Sequence, residues 1–124
     1  MTPAEVLAAH ARDAVCHLQT TGRTSGRPRT IEIWFATDGE RVYFLAGGRE
    51  RAQWVRNLRV EPRVRVRIGG TTLAGRAWVV SDAAEDLRAR ELVAAKYQGW
   101  RPGATFSPWA AESLPVAMEP DPAA

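Results

Sequence analysis

At 124 residues, 45% of them apolar and 25% charged, the chain has the size and composition of one globular domain spanning residues 1–124. No stretch approaches the roughly 18 uninterrupted apolar residues of a membrane helix, so stable membrane insertion is not expected. The net charge is only +3, but eleven arginines against five acids fall between Gly22 and Ile68, and sixteen of the seventeen basic residues are arginine. Arginine offers a planar fork of donors suited to phosphate and carboxylate, which makes a multiply anionic partner a candidate. The N-terminus has no basic segment leading into an apolar one, so no secretory signal is read and the cytoplasm is the expected location. The single cysteine, Cys16, agrees with a reducing compartment.

Thr2, Pro3 and Glu5 form a capping box that opens a short helix over about 3–12. A first strand follows over Ala14–Thr20 and a second over Thr30–Thr37, the latter with Ile31, Ile33 and Phe35 on one face and Trp34 on the other. Asp38-Gly39 turns the chain into a third strand, RVYFLAG, so that the three read as a meander. Gly47-Gly48 ends that strand, and a short helix runs from Arg49 to Leu58 before Pro62 blocks continuation. Arg63 to Ile68 alternates without error, with Val64, Val66 and Ile68 facing in and three arginines facing out. GGTT leads to a strand reaching about Val80, and Asp82 and Glu85 open a longer helix to about Tyr97. After a loop rich in Trp, Pro and Gly, Leu114–Glu119 forms one closing strand, and a tail over about 120–124 is expected to be disordered. The class is mainly β (α+β): a small barrel of about six mostly antiparallel strands, with a short helix after the third and a longer one before the last.

The chemistry-bearing residues exclude several mechanisms. His10 and His17 are the only histidines, and no HxxxH, CxxC or carboxylate cluster has ligand spacing, so no metal is expected. Cys16 and His17 are neighbours in a strand and point to opposite faces, which rules out a nucleophile and base pair and leaves Cys16 as a core residue. Neither GxxxxGK[ST] nor GxGxxG occurs. An enzyme without acid, base, nucleophile or metal can leave bond-making to an organic cofactor, supplying position and charge. TGRTSGRPRT, from Thr21 to Thr30, has the parts for that: Gly22 and Gly26 permit close backbone approach, Thr24 and Ser25 add hydroxyls, and Arg23 and Arg29 add fixed charge. A second anion site is suggested where AGGR enters the helix at Arg49. A solvated hairpin loop and a routine Gly-Gly break would account for the same residues singly. Trp34, Trp54, Trp100 and Trp109 either line a flat pocket or cover the barrel or a dimer contact.

The stretches LQTTGRTSGRPRTIEIWFATDGERVYFLAGG, WVRNLRVEPRVRVRIGG and LPVAMEP together resemble the deazaflavin-dependent nitroreductase family, split β-barrel oxidoreductases that use reduced coenzyme F-420. The likeness runs from about Leu18 to Pro120. It implies a mainly antiparallel split barrel with the cofactor in a groove. Arg23, Thr24, Ser25 and Arg29 would then meet the anionic tail, and Thr30 to Trp34, Ile33 included, would border the deazaflavin. Ala46, Gly47, Gly48 and Arg49 would form the phosphate side, and Gln53, Trp54 and Asn57 would complete the pocket. The implied reaction passes a hydride to a small-molecule acceptor such as a quinone, enone or nitroaromatic. Trp34, Tyr97 and Trp100 would lie nearest that acceptor, and Tyr97 or water would supply a proton.

Two departures stand out: Glu32 replaces a proline common in the family, and AGGRE lacks a lysine and a longer glycine-rich loop. Glu32 would repel an anionic cofactor unless it points away or binds an arginine. Three alternatives remain open at this point. One is an FMN enzyme of the related pyridoxamine-phosphate-oxidase type, and another a non-catalytic cofactor carrier. The third is a nucleic-acid binder using the outward arginines of RVRVRI with Arg56 and Arg59; it lacks an aromatic platform for bases, so nucleic acid is not the expected partner. A homodimer is compatible with the sequence.

Overall fold

The capping box at Thr2 forms as its sequence requires. Glu5 N–H donates to Thr2 Oγ1 at 3.1 Å while the Glu5 carboxylate accepts from Thr2 N–H at 3.3 Å, opening α1 (Pro3–His10). In the computed structural model, which describes residues 1–123, the remaining elements are β1 (Cys16–Thr21), β2 (Pro28–Ile33), β3 (Ala36–Thr37), β4 (Val42–Ala46), a 3-10 turn (Arg49–Arg51), α2 (Gln53–Val60), β5 (Arg63–Ile68), β6 (Thr71–Val79), α3 (Ala83–Gln98), α4 (Pro108–Glu112) and β7 (Leu114–Pro120). None of the described helices is long and apolar enough to cross a membrane.

All seven strands join one antiparallel sheet in the order β2-β1-β5-β6-β7-β4-β3. β2 and β3 sit at its opposite ends, yet only Trp34 and Phe35 separate them in sequence. A link that short spans about 11 Å at most, so the two edges must approach each other. The sheet therefore curls into a split barrel, with residues 34–35 crossing the seam.

Inside, Leu18, Phe35, Phe44, Val66, Val116 and Met118 pack with Val6 and Leu7 of α1 and with Val55 and Leu58 of α2. β5 alternates between exposed arginine and buried aliphatic at every residue, as its sequence predicts. β4 is buried at all five positions because both its faces are covered. Phe44 points into the barrel, whereas Tyr43 and Leu45 pack against Ala89, Val93 and Ala94 on α3 outside it. Cys16 is buried, and that burial pushes its thiol up to about 12, the condition of an inert core residue.

Several sequence expectations are corrected. The stretch Thr30–Thr37 is two strands, because its inward series Ile31, Ile33 and Phe35 continues across the seam and conceals the break. β4 pairs with β3 and β7 but not with β2, so no simple meander exists, and the described strands number seven. The first helix ends at His10, and the first strand runs from Cys16 to Thr21. The Arg49 helix divides at Ala52, which is extended (φ −60°, ψ 133°) between the 3-10 turn and α2. The late loop contains α4, signalled by Ser107-Pro108: the Ser107 side chain accepts from Ala110 N–H and proline occupies the first turn. The start of the tail is held in place, since β7 runs to Pro120, Asp121 N–H donates to Ala74 O at 2.8 Å and the Asp121 carboxylate takes both nitrogens of the Arg63 fork. Of the tail expected to be disordered, Ala124 lies outside the described residues.

Candidate functional site

The loop between β1 and β2 folds on itself. Gly22 N–H donates to Arg27 O and Gly26 N–H to Gly22 O, both at 2.8 Å, and Ser25 Oγ accepts from Arg27 N–H at 3.1 Å. A Cβ on Gly22 would fall 2.6 Å from Ser25 Oγ and 3.2 Å from Arg27 O, and Gly26 has φ 71°, so glycine is the least strained residue at both positions. Arg23 ties this loop to α2. Its fork donates to Asn57 Oδ1 at 2.8 Å and Gln53 Oε1 at 2.7 Å, and Asn57 in turn donates to Thr20 Oγ1 at 3.2 Å. Gln53 and Asn57 share a helix face because they stand four residues apart.

Loop, β2 and α2 thereby enclose an open groove of about 780 Å³. Arg23, Thr24, Ser25, Arg29, Thr30, Gln53, Trp54 and Asn57 all line it, with Thr20, Gly22, Pro28 and Ile31. No carboxylate belongs to this described lining. One wall is the free edge of β2, whose one neighbour among the described strands is β1. In antiparallel pairing, residues bonded to the partner alternate with residues whose backbone turns away. Counting from the Gly22–Arg27 bond along the register Thr20↔Arg29 and Gln19↔Thr30, Thr30 and Glu32 turn their N–H and C=O groups toward the free edge.

The other expected site residues fall elsewhere. Ile33 packs against the core, and Ala46 is buried. Gly47, Gly48 and Arg49 line a separate hollow of about 420 Å³. The Arg49 guanidinium donates to the Glu112 carbonyl and lies 3.5 Å from the Glu50 carboxylate. Glu32 meets neither an arginine nor the groove; it stands opposite His17 across β1 and β2, with 3.8 Å between Oε1 and Nε2.

At the seam, Trp34 is 44% exposed. It stacks on Tyr97 with ring centroids 4.3 Å apart and 2° between planes, and it meets Trp109 edge-on at 5.7 Å. The Tyr97 hydroxyl accepts from Phe35 N–H at 3.1 Å and donates toward Ala14 O at 2.7 Å and Phe35 O at 3.0 Å. Burial raises its pKa. Lys96 donates to the same Phe35 carbonyl at 2.8 Å and lies 3.7 Å above the Phe35 ring, its pKa lowered by burial. Trp100 stacks on Phe106 at 5.2 Å and donates to Ala104 O at 2.9 Å, so it belongs to the packing of its own loop. Sequence reasoning did not single out Thr20, which lines the groove, or Lys96, which holds the Phe35 carbonyl at the seam. The signal for Lys96 was available, as it is the single lysine among sixteen arginines.

Residues 4–119 match the model of the F420H2-dependent quinone reductase family. The chain belongs to that family. It is accordingly an oxidoreductase dependent on coenzyme F-420, as the sequence resemblance implied, and the FMN alternative is set aside. Among solved structures it is similar to a conserved hypothetical protein of Mycobacterium tuberculosis, with 24% identity, 97% of this chain and 81% of that chain covered, and a TM-score of 0.74. It is also similar to an F-420 reductase (23%, 93% and 92%, TM-score 0.61) and to an F-420-dependent reductase (17%, 86% and 95%, TM-score 0.67). At such identities these three structures speak to the split-barrel fold.

Proposed function

We propose that the chain passes a hydride from reduced F-420 to a quinone or a related electrophile, an enone or nitroaromatic, in the cytoplasm. The observation that carries this reading is the groove itself, a cradle rich in donors and free of carboxylates among its described lining residues. Such a donor set fits a ligand with a phosphate and an acidic tail. Arg29 and the Arg23 loop, with the Thr24 and Ser25 hydroxyls, would hold the anionic part. Trp54 and the free edge of β2 at Thr30 would border the ring, and Trp34 would face the acceptor.

The bound cofactor supplies the hydride, and the chain supplies alignment, which lowers the entropic part of the barrier. A quinone gaining a hydride also needs a proton. Tyr97 directs its hydroxyl proton to two backbone carbonyls and its oxygen to a backbone N–H, so we assign the proton to water and give Tyr97 the role of supporting Trp34 at the seam. Equilibrium titration is expected to show binding of F-420 that weakens as salt rises, and no stoichiometric binding of FMN; the reverse pattern overturns the reading. A screen of quinone, enone and nitroaromatic acceptors then identifies the acceptor class.

Tyr97→Phe is expected to lower stability by about 1–3 kcal/mol, because it strands the Phe35 N–H, while leaving the pH profile of turnover unchanged. Thermal unfolding and a pH–rate series check both. Loss of one limb of the profile with stability intact would restore Tyr97 as the proton donor.

A further inference from the structure

Arg49 is the one non-glycine residue with positive φ among those described, at 53°. Glycine adopts that conformation freely and an arginine does not. Two glycines immediately precede it, so the position depends on what the side chain does. Its guanidinium reaches 63 residues along the chain to the carbonyl of Glu112, the last residue of α4.

That carbonyl is one of four at the end of a five-residue helix too short to hold itself. Arg90 from α3 takes the other three, donating to Ala110 O at 2.8 Å, Ala111 O at 3.0 Å and Ser113 O at 2.8 Å, with Asp86 fixing its fork. Two arginines from separate elements thus satisfy the carbonyl end of α4. The same turn touches α4 at a second point, since a Cβ on Gly47 would fall 3.0 Å from the Trp109 indole nitrogen. Trp109 in turn meets Trp34 edge-on.

We propose that Arg49 is a positioning residue for the acceptor side of the site: it latches α4, and through Trp109 it sets the orientation of Trp34. It is not a ligand of the cofactor's phosphate. The proposal rests on the reading that Trp34 faces the acceptor.

The test compares the wild type with Arg49→Gly, which removes the side chain and relaxes the backbone, and with Arg49→Lys, which keeps a charged donor. Hydrogen exchange is measured on the free proteins, F-420 affinity by fluorescence titration, and KM and kcat with a soluble naphthoquinone. In Arg49→Gly, exchange of the Ala111 and Ser113 amides is expected to quicken about tenfold and the quinone KM to rise about fivefold, while F-420 affinity stays within about twofold, as losing one charge-assisted hydrogen bond predicts. Arg49→Lys should restore part of the KM. A rise of about tenfold or more in the F-420 dissociation constant with α4 exchange unchanged would make Arg49 a phosphate ligand and overturn the proposal. Unchanged exchange and unchanged KM would overturn it as well. A wild-type chain that binds no F-420 would sink the functional reading, whereas the exchange comparison, made without cofactor, still decides whether the latch exists.

Discussion

Arg29→Ala is expected to raise the dissociation constant for F-420 by about 10- to 150-fold, the range for losing one charge-assisted hydrogen bond to phosphate or carboxylate. Arg29 lines the groove, and no carboxylate shares that described lining. Its charge is therefore free for a ligand. Arg63→Ala is the matched control, because Arg63 is not in the groove lining and its guanidinium already forks onto the Asp121 carboxylate. It should leave F-420 affinity within about twofold at moderate salt, because a guanidinium already paired with a carboxylate offers a ligand little net charge and its remaining field is screened. Fluorescence titration of both variants at two ionic strengths makes the comparison. Equal losses would mean that the cofactor responds to diffuse positive charge, and the groove would lose its claim to be a defined site.

The groove was legible in the sequence because its chemistry is local. The glycines, hydroxyls and arginines of the β1–β2 loop stand within ten residues of one another, and the Gln53–Asn57 spacing places two amides on one face of α2. What the sequence concealed depends on contacts distant along the chain. Arg23 meets Asn57 34 residues away, Tyr97 meets Ala14 83 residues away, and Arg49 meets Glu112 63 residues away. None of these partners follows from periodicity. The seam at Trp34–Phe35 was hidden for a different reason: alternation persists through it, so the pattern that identifies a strand gives no sign that the strand changes edges. The resemblance also implied Ile33, Trp34 and Gly47 to Arg49 as cofactor neighbours; none of them is in the groove lining, Ile33 packing on the core, Trp34 stacking on Tyr97 at the seam, and Gly47 to Arg49 lining a hollow of their own.

Gly75→Ala tests the closure of the barrel on which the groove depends. Gly75 is an inward position of β6, between Leu73 and Ala77, opposite Val64 on β5 and Pro120 on β7. A Cβ there would lie 2.1 Å from Glu119 O and 2.9 Å from Glu119 C, both backbone atoms, and 2.7 Å from Met118 Cε. The methionine end can rotate aside. The β7 backbone cannot, because it is laddered to β6 on one side and β4 on the other. One methyl group must therefore push apart two paired strands, and the cost is expected to reach about 3 kcal/mol, the upper end for overpacking a rigid site. For a chain of this size that corresponds to a fall of roughly 12 °C in Tm. α2 packs on β6 as well as β1, so displacing β6 also shifts Gln53 and Asn57, which hold Arg23. F-420 affinity in the remaining folded protein should fall accordingly. Thermal unfolding by circular dichroism, with F-420 titration well below the new Tm, reads both effects. A Tm within about 3 °C of wild type would show that β6 and β7 can separate at little cost, and the rigid closure inferred from their register would be wrong.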